Sequence, residues 1–554
     1  MEQLKKILER ALKELYDLKI ELNFNRPNYS FGDYCSNCSF IISKKINKTP
    51  NEIAIQIKDY IDSQKNNIIL STEVLNGFIN FRLSDEILIN NLKQEKKYFL
   101  NDQNIVIEYS DPNPFKMLHA GHLYTSIVGD SIANMLSFVG ARVSRVNFGG
   151  DVGLHVAKNI WAMLEYLKGE NPDKLDTIAQ NKRQEWLNDR YLEGNKAFED
   201  NPQSNLEIKN LNKKIYDIVL NNDKTSNLAK IFFITREWSY QYLKDFYLKL
   251  NITFDKFYPE SEVTELGLET VRKHIPEVYT KSDNAIIFDG ERYNLKTYVY
   301  ITSEGLPTYS AKDVGLILKK YQDYNFDQSI IITANDQVDY LKNVLKSVQQ
   351  FEPELANKTK HLSHGLVKLS TGHKMSSRTG QALSAQDVLD YAYNEEFKIS
   401  DKVDPKIYIS AIKYSFLKQK MGGDIIYNPK EAVAIEGNSG PYIQYSFVRA
   451  NKIIEKSNFT NEIKSSSSLD KDERHLVYKI SEFYEVLDKS INELSTHHIC
   501  IFLHELAQMF NSFYESTPIL GSSREEIRVA ILIEYRRIFR NCFKILGLEE
   551  INFM

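Results

Sequence analysis

Two stretches of this 554-residue chain concentrate side chains able to grip a polyphosphate. The first is His119-Ala120-Gly121-His122, with Lys116 just upstream, and the second is Lys374-Met375-Ser376-Ser377-Arg378-Thr379-Gly380. Two histidines three positions apart can aim ring donors at phosphate oxygens, and Lys116 adds a point charge. Gly121 has no Cβ, so a flat base can lie against the backbone there. In the second stretch Lys374 and Arg378 carry the charge, with Gly372 and Gly380 at the ends as hinges. Such a loop can close on a polyphosphate and stabilise charge that develops on a leaving group.

The elements that must hold the first stretch are legible on either side of it. Ile105 to Tyr109 is a short apolar run bounded by Asp111, Pro112 and Pro114, which reads as a buried strand ending in a loop. Apolar residues then recur at Leu123, Ile127, Val128, Ile132, Met135, Leu136 and Val139, an amphipathic helix closed by Gly140. Val143 to Asn147 is a second strand leading into Gly149-Gly150-Asp151. The unit is β-α-β, so its strands are expected to be parallel. His119 and His122 thereby fall at a helix N-terminus, where free N–H groups and the dipole favour anions. The competing reading is two capping histidines with no chemical duty.

Further along, Asn284 to Asp289, Tyr298 to Thr302 and Ser329 to Thr333 read as strands, and Val314 to Tyr321 as a helix. The alternation predicts an α/β, doubly wound parallel sheet of the Rossmann type, with ligands at the carboxyl ends of its strands. Glu108, His119, Tyr309, Asp313 and Gln337 would come to lie there, and Tyr309 and Asp313, one helical turn apart, can face the same side. The stretch Asp173 to Asn205 is strongly polar and reads as a solvated helical hairpin or a mobile segment.

Length calls for about three domains. We place a small α/β module at 1–98, the sheet domain at 99–400 with an insertion near 155–285, and an all-α helical bundle at 401–554. Hydrophobic and charged contents of 42% and 26% are ordinary for a soluble protein. No apolar run reaches membrane-spanning length and the N-terminus lacks a signal-peptide core, so a cytoplasmic location is expected. The net charge of -4 does not announce a nucleic acid, and any RNA must meet local patches. Cys35-Ser-Asn-Cys38 has the spacing of a zinc pair, but no second pair lies near it, so no structural zinc is expected.

The His119 region, with Glu-Tyr-Ser-Asp-Pro-Asn-Pro before it and Gly129-Asp130 after it, resembles the HIGH signature of class I aminoacyl-tRNA synthetases in its arginyl version. Lys374 to Gly380 resembles the KMSKS loop, although Ser377 stands where a second lysine is usual. Many arginyl enzymes share that loss, with a lysine before the HIGH element taking over, and Lys116 occupies the matching position. Leu306 to Gly315 resembles the family's Tyr-x-x-x-Asp-x-Gly motif, and Glu108, Asn113 and Gln337 fall on its amino-acid contacts. Phe31-Gly32-Asp33-Tyr34 and Gly77 to Phe81 resemble its N-terminal domain, which touches the corner of the tRNA. Residues 234–239 and 254–262 are similar to its connective insertion, and the last third to its anticodon-binding domain.

The resemblance implies activation of L-arginine with ATP·Mg2+ to arginyl-adenylate, then transfer to the 3′ end of arginine tRNA. His119, His122, Lys116 and Lys374 would be catalytic. ATP would be held by Gly121 with His119 and His122, and by Lys374, Met375, Ser376, Ser377 and Arg378. Arginine would be held by Glu108, Asn113, Tyr309, Asp313 and Gln337. Tyr442, Arg449, Arg536 and Arg537 are candidates for contacting tRNA bases and phosphates. A monomer is expected, and the family pattern further implies adenylate formation that needs bound tRNA. Two departures stand out: Asp111 where serine is common, and His155 where glutamine is common. A cysteinyl enzyme would carry zinc-ligand cysteines between Cys38 and Cys500, and a small-molecule nucleotidyltransferase has no reason for residues 401–554. A non-catalytic RNA-binding relative would lose one of the two signatures.

Overall fold

The computed structural model describes residues 2–64, 66–93, 100–370, 383–400, 402–459 and 462–553. In the N-terminal part, helices Glu2–Tyr16, Cys38–Ile46 and Pro50–Ser63 accompany a four-stranded antiparallel sheet. Leu4, Leu8 and Leu12 form the buried stripe of the first helix, and Thr49 and Glu52 cap the third reciprocally. Cys35 and Cys38 are both buried as free thiols.

The central sheet has five parallel strands in the spatial order Thr359–His364, Gln328–Ala334, Asn104–Glu108, Arg142–Gly149 and Lys256–Pro259. From Asn104–Glu108 the chain lays two strands to one side, then returns to lay two on the other. That is a doubly wound sheet whose order reverses between Asn104–Glu108 and Gln328–Ala334. Glu108 lies opposite Ile331 and Val146 at the carboxyl end of this seam. The helix Ala120–Phe138 joins the first two strands, and Gly129 lets it approach, since a Cβ there would sit 2.3 Å from the Tyr109 ring. The helices Glu260–Lys273 and Tyr309–Tyr324 cross as closely for the same reason. A Cβ on Gly267 would lie 2.1 Å from the Ala311 carbonyl, and one on Gly315 2.4 Å from that of Val263.

Three expectations change. The strands Ala285–Phe288 and Tyr298–Ile301 do not extend the parallel sheet; with Thr280–Ser282 they form a separate antiparallel one. Asp283 and Asn284 both have positive φ, 46° and 63°, and close a two-residue hairpin loop between Ser282 and Ala285. The polar stretch Asp173 to Asn205 is packed rather than solvated. Its helix Arg183–Asp200 buries Trp186, Leu187 and Gly194 against Leu154–Leu167 and Pro202–Leu220, in a core of its own with Val156, Ile160, Ile208 and Phe232. The helix expected at Val314 to Tyr321 runs from Tyr309 to Tyr324.

Beyond residue 400 helices dominate, the longest being Gly440–Lys456, His497–Ser516 and Glu525–Leu546. Strand Ile425–Tyr427 pairs in parallel with Val367–Leu369, tying the chain together across residue 400. The bundle is seated on the histidine helix, where Ser131 Oγ donates to the Ile545 carbonyl at 3.1 Å; within the bundle, Lys413 Nζ donates to the Gly547 carbonyl at 2.8 Å. Arg474 clamps it to the N-terminal part, donating to Asp33 at 2.5 Å and to the Leu83 carbonyl at 2.9 Å. Among the described residues no helix is long and apolar enough to cross a membrane.

Candidate active site

A cavity of about 710 Å3 opens at the seam where the strand order reverses. Glu108, Asn113, His119, Gly121, His122, Tyr309, Asp313 and Gln337 all line it, arriving from a strand end, a loop and three helix beginnings. Lys116 is not among the lining residues; its ammonium lies 4.2 Å from the Tyr191 ring centre. Lys374, Met375, Ser376, Ser377 and Arg378 fall in 371–382, outside the described residues. The chain that follows them is anchored at the histidines, for Ala120 N–H donates to the Leu383 carbonyl and Ala385 N–H to that of Leu118, both at 2.8 Å.

His119 and His122 form a capping box. His119 Nδ1 accepts the N–H groups of Gly121 and His122 at 3.1 and 3.3 Å, and His122 Nδ1 accepts that of His119 at 3.3 Å. The amides expected to be free for an anion are therefore taken by the cap. The capping and chemical readings nevertheless coexist. A neutral imidazole whose Nδ1 accepts must carry its proton on Nε2, so each ring turns an Nε2–H donor outward. Burial, reinforced by Lys116, lowers the pKa of His119 and lowers that of His122 further, so both rings stay neutral near pH 7. The rings stack with centroids 3.6 Å apart. A Cβ on Gly121 would press on the His119 ring at 3.0 Å, which explains the glycine there.

The acidic groups divide into two kinds. Glu108 Oε2 is paired with Lys320, whose side chain is fully buried, and Glu260 Oε2 with Lys312, which is nearly so. Burial raises the Glu260 carboxyl and Lys312 opposes that rise. Asp313 and Asp111 have no such cation among the described residues. Asp313 accepts a hydrogen bond from Tyr340, yet burial raises it to about 7, with the charge of Glu108 adding to the rise. Asp111 Oδ1 accepts the Phe148 N–H at 2.8 Å, and burial followed by Glu108 holds its carboxyl well above the ordinary value. His155 donates from Nε2 to the Gly150 carbonyl at 2.6 Å, leaving Nδ1 to face the Tyr309 hydroxyl at 3.4 Å; burial lowers it to about 3. Gly150 makes room for Asn113, whose Oδ1 would lie 2.3 Å from a Cβ there. Gln337 is exposed at the mouth.

Sequence reasoning missed Lys312, Lys320, Glu260 and Tyr340. The lysines carried a signal, since they fall four residues on either side of buried Leu316 and so lie on an inward stripe. In the helical bundle, Tyr442 and Arg449 converge on Asn511, and Arg449 stacks over Tyr445 and Tyr514 beside a cavity that includes Lys452 and Lys456. Arg537 is engaged internally, with Glu534 and the Leu92 carbonyl, and burial lowers the pKa of its neighbour Arg536. Among the described residues no group of three or more His, Cys, Asp or Glu is arranged to hold a metal ion.

The chain as a whole has counterparts among known proteins. Residues 84–428 match the family described as tRNA synthetases class I (R), catalytic domain, which makes this chain a class I tRNA synthetase. Residues 2–83 match the arginyl tRNA synthetase N terminal domain and 443–554 the DALR anticodon binding domain. The chain belongs to the arginyl-tRNA synthetase family. It is 28% identical to the arginine–tRNA ligase of Borrelia hermsii, over 98% of this chain and 97% of that one. It is 27% identical to that of Borrelia garinii subsp. bavariensis, over 96% and 94%. The structure of the Thermus thermophilus arginyl-tRNA synthetase superimposes with a TM-score of 0.80 at 22% identity, covering all of both chains.

Proposed function

We infer that this chain is an arginine–tRNA ligase, using ATP to make arginyl-adenylate and passing the arginyl group to the 3′ end of arginine tRNA. One observation carries the reading. Paired Nε2–H donors and a cation-free carboxyl with its neighbouring hydroxyls line one cavity at the reversal point. A guanidinium is planar, permanently charged and rich in donors, and it fits Asp313 with Tyr309. Asn113 and Gln337 hold the amino-acid head group, and Glu108, whose Oε2 is bound to Lys320, keeps Oε1 for the slot.

The arginine carboxylate attacks the α-phosphate in line, and pyrophosphate leaves. The protein forms no covalent bond here, so placing the reactants and stabilising charge supply the rate. His119 and His122 donate from Nε2 to the oxygens that gain charge. Lys116, released from Tyr191, joins Lys374 and Arg378 on the departing pyrophosphate, while Gly121, Met375, Ser376 and Ser377 flank the nucleotide. Mg2+ arrives as the ATP complex and shields the phosphates.

Residues 1–98 meet the tRNA corner, 99–400 hold the chemistry and 401–554 read the anticodon. In the bundle Tyr442 and Arg449 contact bases, and Arg536 contacts phosphate with Arg537 behind it. The enzyme acts as a cytoplasmic monomer. Charging of total tRNA with each of the twenty amino acids tests the reading. Product with arginine alone is expected, and product with another amino acid, or with none, would overturn it.

A further inference from the structure

Phe115 and Lys116, just ahead of the histidines, are held by the insertion. Phe115, at a positive φ of 69°, buries its ring beside Phe232 in the core of the insertion. Its N–H donates to Ser239 Oγ at 3.0 Å, and its carbonyl accepts from Asn159 Nδ2 at 3.1 Å. Asn159 Nδ2 also donates to the Leu187 carbonyl at 3.0 Å, so one side chain joins this loop to the helix Arg183–Asp200. The same helix grips Lys116 at two points. Gln184 Nε2 donates to its carbonyl at 3.0 Å, and the Tyr191 ring centre lies 4.2 Å from its ammonium. Gln184 and Tyr191 are about two helical turns apart and so share one face, turned toward the lysine.

This grip leaves the lysine beside the cavity and not in it. Lys116 is absent from the lining, yet its charge adds to burial in lowering the pKa of His119, so the ammonium stands close to the histidines. A ring face attracts an ammonium weakly compared with a polyphosphate, so such a contact can hold the charge without trapping it. We propose that Tyr191 is a positioning residue for the reaction: it parks the Lys116 ammonium beside the cavity in the free enzyme and yields it to the polyphosphate of ATP. The helix Arg183–Asp200 thereby sets when the leaving group is neutralised. The proposal rests on the role given above to Lys116 and names the part of the chain that controls it.

ATP–pyrophosphate exchange with arginine and total tRNA gives the kinetic readout, and melting temperatures check that each variant folds. Tyr191→Leu removes the ring, so kcat/KM for ATP should rise about twofold to fivefold, the size of a cation–π contact at a partly exposed site. Tyr191→Phe keeps the ring and should restore the wild-type value. In a Lys116→Met background Tyr191→Leu should change nothing, because its effect passes through the ammonium alone. A loss on Tyr191→Leu, or the same change with and without Lys116, would overturn the parking role.

A second readout needs no turnover. Isotope-labelled methyl groups placed on the lysines by reductive methylation keep their charge. Those of Lys116, identified by their loss in Lys116→Met, should resonate upfield over the Tyr191 ring, and α,β-methylene ATP with Mg2+ should move them downfield. A signal that is not upfield in the free enzyme, or that the analogue leaves in place, would overturn the proposal. Exchange absent from the wild type would instead contradict the proposed function, and the Lys116 signal would still decide the role of Tyr191.

Discussion

His119 and His122 stack at 3.6 Å and cap one helix between them, so the atoms that stabilise the fold and those offered to a ligand sit on the same two rings. Nδ1 of each ring serves the backbone, which leaves Nε2 of each to carry the proton, on two residues that line the cavity.

That division can be separated by substitution. Serine is a good N-cap, so His119→Ser should leave the melting temperature nearly unchanged, within about 0.5 kcal/mol of stability. It removes the Nε2 donor, and turnover should fall about 10²-fold. His122→Ala should lose turnover to a similar extent. Wild-type turnover in either variant would reduce the histidines to caps.

Asp313 links arginine binding to pH. Its carboxyl, raised to about 7 in the free protein, must be ionised to meet a guanidinium, so binding releases a proton near and below that pH. Lowering the pH from 8 to 6 should therefore raise the arginine KM by about tenfold. Burial lowers the pKa of both histidines, so the KM for ATP should move less than that for arginine. Asp313→Asn should raise the KM throughout and flatten the profile. A flat wild-type profile would remove Asp313 from the site.

Lys320 should matter to the fold before it matters to the chemistry. Lys320→Met leaves Glu108 buried and charged without a partner, a loss of roughly 3 kcal/mol or more. Adding Glu108→Gln should restore much of the melting temperature. A single variant as stable as the wild type would mean that the pair is not closed in solution.

The histidine helix and the strands around it were legible because apolar runs end in prolines and glycines that leave little choice of boundary. Ile105 to Tyr109, closed by Asp111-Pro112, gave its strand to within a residue. The antiparallel sheet was missed because Asp283-Asn284 is a hairpin turn in which both residues must accept positive φ, a choice invisible to the apolar pattern. Arg183–Asp200 looked solvated because its few apolar residues are outnumbered, yet Trp186 and Leu187 suffice to bury one face. In the site, the residues with donor or acceptor chemistry were found and their partners were not. A lysine normally reads as surface, and only the stripe shared with Leu316 marks Lys312 and Lys320 as internal counter-charges.

The most direct measurement of the central claim is ATP–pyrophosphate exchange with each of the twenty amino acids, with and without total tRNA. The account predicts exchange with arginine alone, and only when tRNA is present. Exchange with a different amino acid would keep the fold and contradict the pocket, and absence of exchange under every condition would contradict the activity.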